Sequence, residues 1–194
     1  LAVDGDARKT RHAGALFATE RLTGRRRWTP LLAGLAGLVL VAEIVLRIMG
    51  FGDPVLYVAD DLVGYMPSPN QTARQRGNDI STNAYGMRRA DFAPEKAADT
   101  LRVLMLGDST LYGGSYIRRD ELYARRLEVE LGKAGRKVEV LNMGVNGWGP
   151  YHKLGFVQRY GTFGADLVVV CLPYGDVFRQ LSKLGEQPYL PVPP

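Results

Sequence analysis

One serine in the chain follows a short apolar segment in a way that can present its hydroxyl for chemistry. Residues 101–106 are mostly apolar, which is typical of a strand buried on both faces in a parallel sheet. Gly107 interrupts this segment, and Asp108 and Ser109 follow it. Ligands bind beyond the carboxyl ends of the strands in open α/β sheets. Ser109 is therefore a candidate nucleophile, whereas Asp108 is predicted to hydrogen-bond the turn and not to act as a catalytic acid.

Two further apolar segments end in polar, glycine-containing sequences. KVEVLNM at 137–143 ends before Gly144, and ADLVVVCL at 165–172 ends before PYGD at 173–176. Helical patterns at 119–135 and 151–163 separate the three segments. The order strand, helix, strand, helix, strand predicts a parallel sheet with right-handed crossovers. The three strand ends, GDST, NMGVNGWG and PYGDV, are therefore expected at one edge of the sheet.

These strand ends resemble the conserved blocks of the SGNH, or GDSL-type, hydrolase family. The tripeptide at 107–109 matches the first block, whose serine is the nucleophile. NMGVNG at 142–147 matches the second block and places the oxyanion-hole glycine at Gly147. ISTNAYGMR at 80–88 is similar to a stretch found ahead of the first block in membrane-anchored members. The resemblance covers about residues 60–176 and implies a three-layer αβα sandwich around a parallel, flavodoxin-like sheet.

The resemblance implies acyl-ester chemistry without a cofactor or a metal. A base takes the proton of Ser109, which attacks an ester and forms an acyl-enzyme. The backbone N–H groups of Ser109 and Gly147 are expected to stabilise the oxyanion. The family's third donor is an asparagine directly before an aspartate, but here Gly175 precedes Asp176. Asn146 is a candidate replacement for that donor, and Asp176 is assigned a structural role.

These motifs do not identify the base that would accept the Ser109 proton. The family's catalytic histidine lies in an Asp-x-x-His segment near the carboxyl end, and no histidine follows Asp176 in this sequence. His12 lies in the basic segment at the start of the chain. His152 follows the second block and is a candidate base, although a helix-surface or rim position is the more common one for such a histidine. The sequence therefore leads us to expect that the chain is incomplete at its carboxyl end.

An apolar segment ahead of these motifs predicts a membrane anchor. Residues 29–49 have about the length needed to cross a bilayer, and the preceding segment is rich in arginine, which predicts a cytoplasmic start. Glu43 and Arg47 are spaced to pair on one helical face. The predicted organisation is a flexible, basic cytoplasmic tail at 1–28, a transmembrane signal anchor at 29–50, an irregular connecting segment at 51–100, and a partial SGNH-like domain at 101–194. That domain would lie outside the cytoplasm, in the periplasm or extracellular space.

Composition and the remaining motifs argue against several function classes. The net charge of +5 comes with basic residues clustered before the apolar segment and without interleaved aromatic residues, so nucleic-acid binding is not expected. GK[ST] and GxGxxG are both absent, and no Cys/His spacing suggests zinc. Cys171, the single cysteine, is predicted to be a small core residue. Arg88 and Arg89 are predicted on a solvated face, with contact to an anionic or sugar substrate as the alternative. Trp148 and Tyr151 could either line a pocket or pack.

Three functions follow from these observations. The first is a serine-dependent ester hydrolase that acts on an acylated glycan or a lipid ester outside the cytoplasm. The second keeps the chemistry and transfers an acetyl group to an exported polysaccharide. The third is a catalytically inactive, membrane-anchored binding or assembly module, which Gly175 and the missing histidine favour.

Overall fold

The computed structural model describes residues 7–193, with side chains from Trp28 onward. The chain divides into two compact units, one ending at Leu46 and one beginning at Arg47. The long helix α1 (Ala7–Ile48) begins well before the apolar segment. The prediction of a flexible tail is therefore corrected from residue 7 onward. Alanine and arginine are frequent there, and both residues have high helix propensity.

The second half of α1 has the length and composition of a membrane span. Trp28–Ile48 contains 21 residues, which at the helical rise corresponds to roughly 30 Å. Its side chains from Trp28 to Ile48 are all exposed. The prediction of one apolar N-terminal helix long enough to cross a membrane is confirmed to this extent.

Residues 51–100, predicted as an irregular connection, contain two antiparallel hairpins, so that prediction is corrected for residues 57–81. β1 (Tyr57–Asp60) pairs with β2 (Gly64–Pro67), and β3 (Thr72–Gln75) pairs with β4 (Asn78–Ser81). Strands of four residues are too short to show a clear period of two. This segment also supplies a large part of the core, with Val55, Tyr57, Val63, Tyr65, Met66, Ala73, Ile80 and Met87. It therefore belongs to the same compact unit as the predicted hydrolase domain.

The three later strands form the predicted parallel sheet. β5 (Thr100–Gly107) lies in the centre, between β6 (Lys137–Gly144) and β7 (Leu167–Val170). The chain thus places β6 on one side of β5 and then β7 on the other. Such a reversal in strand order creates a crevice at the carboxyl ends of the strands, where ligands bind in open α/β sheets.

Three helices follow or connect these strands. α2 (Ser109–Tyr112) is a single turn, α3 (Tyr123–Gly132) precedes β6, and α4 (Pro150–Tyr160) precedes β7. α3 is shorter than predicted, because residues 119–121 form a separate 3₁₀ turn. Leu122, before α3, is buried, and Leu131, near its end, is exposed. The mixed α/β class with a parallel three-stranded sheet is confirmed.

Alternating residues of β5 and β6 pack against two different core clusters, as the pleat of a strand requires. Leu104 and Leu106 pack in the cluster that contains the hairpin residues and Phe156 of α4. Val103 and Met105 pack in the second cluster, with residues of α2 and α3. Both faces of the central strand are therefore covered, which fixes the position of the segment that follows it.

Candidate active site at the carboxyl edge of the sheet

Ser109 is presented by a capped helix turn at the end of the central strand. Asp108 has extended backbone geometry and caps α2, because its Oδ1 accepts the Thr110 N–H at 2.9 Å. The Asp108 side chain is buried, whereas Ser109 is exposed. The turn thus holds the serine in a fixed place while its hydroxyl remains accessible.

The hydroxyl of Ser109 has no strong hydrogen-bond partner among the described residues. The nearest acceptor recorded is Asp108 Oδ2, at 3.5 Å, which is at the outer limit for a hydrogen bond. A serine hydroxyl is a weak nucleophile unless a base accepts its proton. Within residues 28–193, the contacts of Ser109 do not supply that base.

The end of β6 is held directly against α2. Gly144 lies in register with Gly107, and Val145 donates its N–H to the Gly107 carbonyl at 3.2 Å. Asn142 donates from Nδ2 to the Leu111 carbonyl at 3.2 Å and accepts the Gly144 N–H at 3.0 Å. A Cβ on Gly144 would collide with the backbone of α2. Asn142 and Gly144 therefore bring the first and second sequence blocks together.

Two backbone N–H groups at these strand ends make no hydrogen bond in the described part of the chain. Neither the Ser109 N–H nor the Gly147 N–H has an acceptor among the described residues. Gly147 has a φ of +80°, which favours glycine, and the Tyr65 and Tyr189 hydroxyls lie 2.6 Å from where its Cβ would stand. Free N–H groups of this kind are the donors that a developing oxyanion needs.

Asn146 points to an aromatic cavity beside Gly147. Its Nδ2 donates to the Tyr57 hydroxyl at 3.2 Å. Burial is the main cause that raises the pKa of Tyr57, so its hydroxyl stays neutral. The cavity has a volume of about 320 Å³, and four tyrosines contribute to its lining: Tyr57, Tyr112, Tyr116 and Tyr189. The Asn146 amide nitrogen has a second proton, which has no acceptor among the described residues and remains available for an oxyanion.

His152 is fully buried, so the predicted helix-surface or rim position is wrong. Its Nδ1 accepts the Gly149 N–H at 3.1 Å, and its Nε2 lies 3.2 Å from the Ser182 carbonyl oxygen, 3.2 Å from the Ser182 hydroxyl and 3.3 Å from the Ser182 nitrogen. The ring stacks on Trp148 with 6.1 Å between ring centres. Burial lowers the pKa of His152 and favours the neutral ring. Both nitrogens are thus engaged away from Ser109.

Asp176 lies at the third strand end in a buried ion pair that the sequence did not reveal. Its carboxylate is 3.2 Å from Lys153 Nζ and 3.2 Å from Arg179 Nε. The side chains of Asp176 and Lys153 are only 1% and 3% exposed, whereas Arg179 is 42% exposed. The signal that could have found Lys153 is its position in the first turn of α4, next to His152, on a helix that packs on the core.

Gly175 and Cys171 complete the third strand end. The Cys171 N–H donates to the Leu106 carbonyl at 2.8 Å and so ties this end to β5. Cys171 is half-buried against the second core cluster, and burial raises the pKa of its thiol. Gly175 is exposed, and a Cβ there would meet no atom within 4 Å. A Cβ can therefore be added at this position without a steric conflict.

The structure also shows the burial of three other residues, which the sequence left undecided or predicted wrongly. Trp148 packs in the core and does not line a pocket, because it is fully buried and donates its Nε1 proton to the Tyr65 carbonyl at 2.8 Å. Tyr151 is exposed. Arg88 is buried, so the solvated face predicted for it is wrong. Among the described residues, no group of three or more His, Cys, Asp or Glu side chains is arranged to hold a metal ion.

No model of a known protein family matches the chain, and no curated protein matches it as a relative.

Proposed function

We propose that the chain is a serine-dependent ester hydrolase of the SGNH type, in which Ser109 carries the acyl group. The observation that carries this proposal is the pairing of an exposed serine, at the start of α2, with the free N–H groups of Ser109 and Gly147. A nucleophile and two oxyanion donors at one sheet edge are the minimum set for acyl transfer. The contacts through Asn142 and Gly144 support the view that these groups act together.

The finer fold that accompanies this proposal is a three-layer αβα sandwich. The strand order β6-β5-β7 is the beginning of a flavodoxin-like order, with the first strand in the centre. The crevice of such a sheet lies between β5 and β7, next to the segments that carry Ser109 and Asp176. The two core clusters on opposite faces of β5 are in keeping with helical layers on both sides.

In the proposed reaction, Ser109 Oγ bonds to the acyl carbon and the ester C–O bond breaks. A base accepts the serine proton and returns it to the leaving alcohol, and water then releases the acid by the same route. His152 does not have this role in the described arrangement, because its ring nitrogens bind Gly149 and Ser182. With Gly175 in the third donor position, the transition state would be stabilised by two backbone donors.

The proposed substrate is an acylated glycan or a lipid ester outside the cytoplasm. The apolar helix Trp28–Ile48 would act as a signal anchor, with the basic segment before it in the cytoplasm. If a sugar hydroxyl replaces water in the second step, the same machinery is an O-acetyltransferase for an exported polysaccharide. The two reactions differ only in the acceptor and are separated by product analysis.

A non-catalytic, membrane-anchored module is the second candidate, and two observations favour it. His152 is engaged in packing and hydrogen bonding inside the protein, and Gly175 offers no side-chain donor. A domain with this architecture could bind an acylated ligand at the same edge without cleaving it. This candidate predicts that Ser109 has the reactivity of an ordinary surface serine.

A fluorophosphonate probe distinguishes these candidates, because it labels activated serines. The full chain in detergent would be labelled and compared with Ser109→Ala and with the control Ser115→Ala, which removes a hydroxyl from the loop after α2. Labelling that is lost only in Ser109→Ala supports the esterase proposal. If the native protein labels no faster than after denaturation, or if Ser109→Ala keeps its labelling, the non-catalytic module is favoured. With an acetyl ester as donor and an oligosaccharide as acceptor, the masses of the products separate hydrolysis from transfer.

A further inference from the structure

A second cavity, away from the aromatic one, is rich in arginine. It has a volume of about 510 Å³ and is bounded by β6, α3, the 3₁₀ turn at 119–121 and the segment at 88–90. Its charged lining consists of four arginines and two acids: Arg88, Arg89, Arg119, Arg125, Asp120 and Glu128.

Both acids in this lining already have cationic partners. Glu128 binds Arg125 Nη1 at 2.7 Å and also accepts the Val140 N–H at 3.3 Å. Asp120 binds Arg118, an exposed residue that does not line the cavity, at 2.5 Å. The lining therefore keeps a surplus of positive charge, which comes from Arg88, Arg89 and Arg119.

The buried Arg88 and the half-buried Arg89 have carbonyl partners in place of carboxylates. Arg88 donates from Nη1 to the carbonyls of Tyr112 at 3.0 Å and Gly114 at 2.6 Å and from Nη2 to the Ile117 carbonyl at 2.5 Å, and its buried Nε has no partner among the described residues. Arg89 donates from Nη1 to the Val140 carbonyl at 2.9 Å and from Nε to the Ala90 carbonyl at 3.1 Å. Neutral carbonyls satisfy individual donors but do not compensate a full charge.

Arg89 has both anionic and cationic neighbours. Burial is the main cause that lowers its pKa; Glu128 and Glu139 raise it, and Arg102 and Arg119 lower it by smaller amounts. Glu128 and Glu139 are themselves paired with Arg125 and Arg102. An oxyanion in the open cavity would therefore add to the compensation that these two acids provide.

We propose that this arginine cavity binds an oxyanion, the phosphate or carboxylate group of a ligand. Guanidinium groups match such oxyanions with paired, charge-assisted hydrogen bonds. The volume is within the range of small-molecule sites, so the anionic group can be attached to a larger body. The inference does not depend on the chemistry of Ser109. It does have a structural link to it, because Arg88 holds the Tyr112 and Gly114 carbonyls at the end of α2.

The test measures binding of inorganic phosphate to the full chain in uncharged detergent, by calorimetry at low ionic strength. Arg119→Gln removes one cavity charge from an exposed residue and should not disturb folding. Lys133→Gln is the matched control, because it removes the same charge from an exposed residue at the end of α3, outside the lining. We expect saturable binding that Arg119→Gln weakens at least tenfold and that Lys133→Gln leaves within about twofold, since a charge-assisted bond is worth ~1.5–3 kcal/mol.

Two further arms identify the source of the anion. Glycerol 3-phosphate represents a soluble ligand, and uncharged nanodiscs with added phosphatidic acid represent a lipid headgroup. Displacement of bound phosphate by glycerol 3-phosphate indicates a soluble ligand, and displacement by the phosphatidic acid nanodiscs indicates a lipid headgroup. Displacement by both indicates that the site binds either kind of anion. The proposal is overturned if phosphate does not bind saturably, or if Arg119→Gln and Lys133→Gln weaken its binding equally.

Discussion

The buried ion pair at the third strand end predicts an asymmetry between its two members. Asp176 has two cationic partners, but Lys153 has only Asp176 as an ionic partner among the described residues. Asp176→Asn would leave the Lys153 ammonium buried and uncompensated, because Arg179 can turn into solvent but Lys153 cannot. Loss of one member of a buried pair costs about 3–5 kcal/mol. For a chain of this size that corresponds to a fall in Tm of roughly 6–20 °C.

Lys153→Met should cost clearly less. It removes the buried ammonium but keeps most of the side-chain volume, and Asp176 retains Arg179 at 3.2 Å. Glu130→Gln provides the control for a surface pair: the Glu130–Lys133 distance is 2.7 Å, but both side chains are about two-thirds exposed. Exposed pairs contribute about 0–1 kcal/mol, so this variant should unfold almost as the native chain does.

Urea unfolding of the full chain in detergent, followed by tryptophan fluorescence, would measure these differences. The chain has two tryptophans, of which Trp148 is fully buried and Trp28 is exposed, so Trp28→Phe as the background isolates the core signal. The expected order of destabilisation is Asp176→Asn, then Lys153→Met, then Glu130→Gln. Equal losses for the first two, or a larger loss for Lys153→Met, would refute the reasoning.

Three further predictions concern the other strand ends. Gly144→Ala should destabilise the protein by about 1–3 kcal/mol, because its Cβ meets the α2 backbone, whereas Gly132→Ala, in open space, should change stability by no more than about 1 kcal/mol; equal urea midpoints would contradict this. Burial lowers the pKa of His152, so the unfolded chain binds that proton more readily and stability should fall as the pH decreases below about 6.5. His152→Asn keeps an acceptor for the Gly149 N–H and should flatten this part of the pH profile, and an unchanged profile would show that His152 is not responsible. Gly175→Asn should accelerate fluorophosphonate labelling, by up to ~10²-fold if the missing donor limits the reaction; an unchanged rate in a folded variant would count against the proposed oxyanion site.

The parallel sheet was predictable from sequence, whereas the hairpins were not. Buried parallel strands are apolar on both faces, so residues 101–106 and 137–143 are recognisable without any knowledge of their neighbours. The strands of the hairpins have only four residues each, and turn-forming residues surround them. Their formation depends on packing against the later part of the chain, which a local pattern does not contain.

At the candidate site, the sequence predicted where residues lie in the sheet better than it predicted which side chains are buried. The strand ends placed Ser109 and Asp176 at one edge, because in a parallel sheet all strands end on the same side. The same reasoning does not tell which side chains are buried there. Lys153 and His152 both follow a glycine-rich loop and look like surface residues in the sequence, yet tertiary packing buries both.

The exposure of β7 has a consequence for the behaviour of the protein in solution. This strand pairs with β5 on one side and has no strand partner on its other side among residues 7–193. Its sequence is LVVV, and Leu167 and Val170 are each about half exposed. Uncharged, β-branched edge strands are templates for pairing between molecules and for aggregation. In the part of the chain that the structure describes, the strand that precedes Asp176 therefore offers a free edge for pairing between molecules, and Val168→Lys should reduce self-association of this chain.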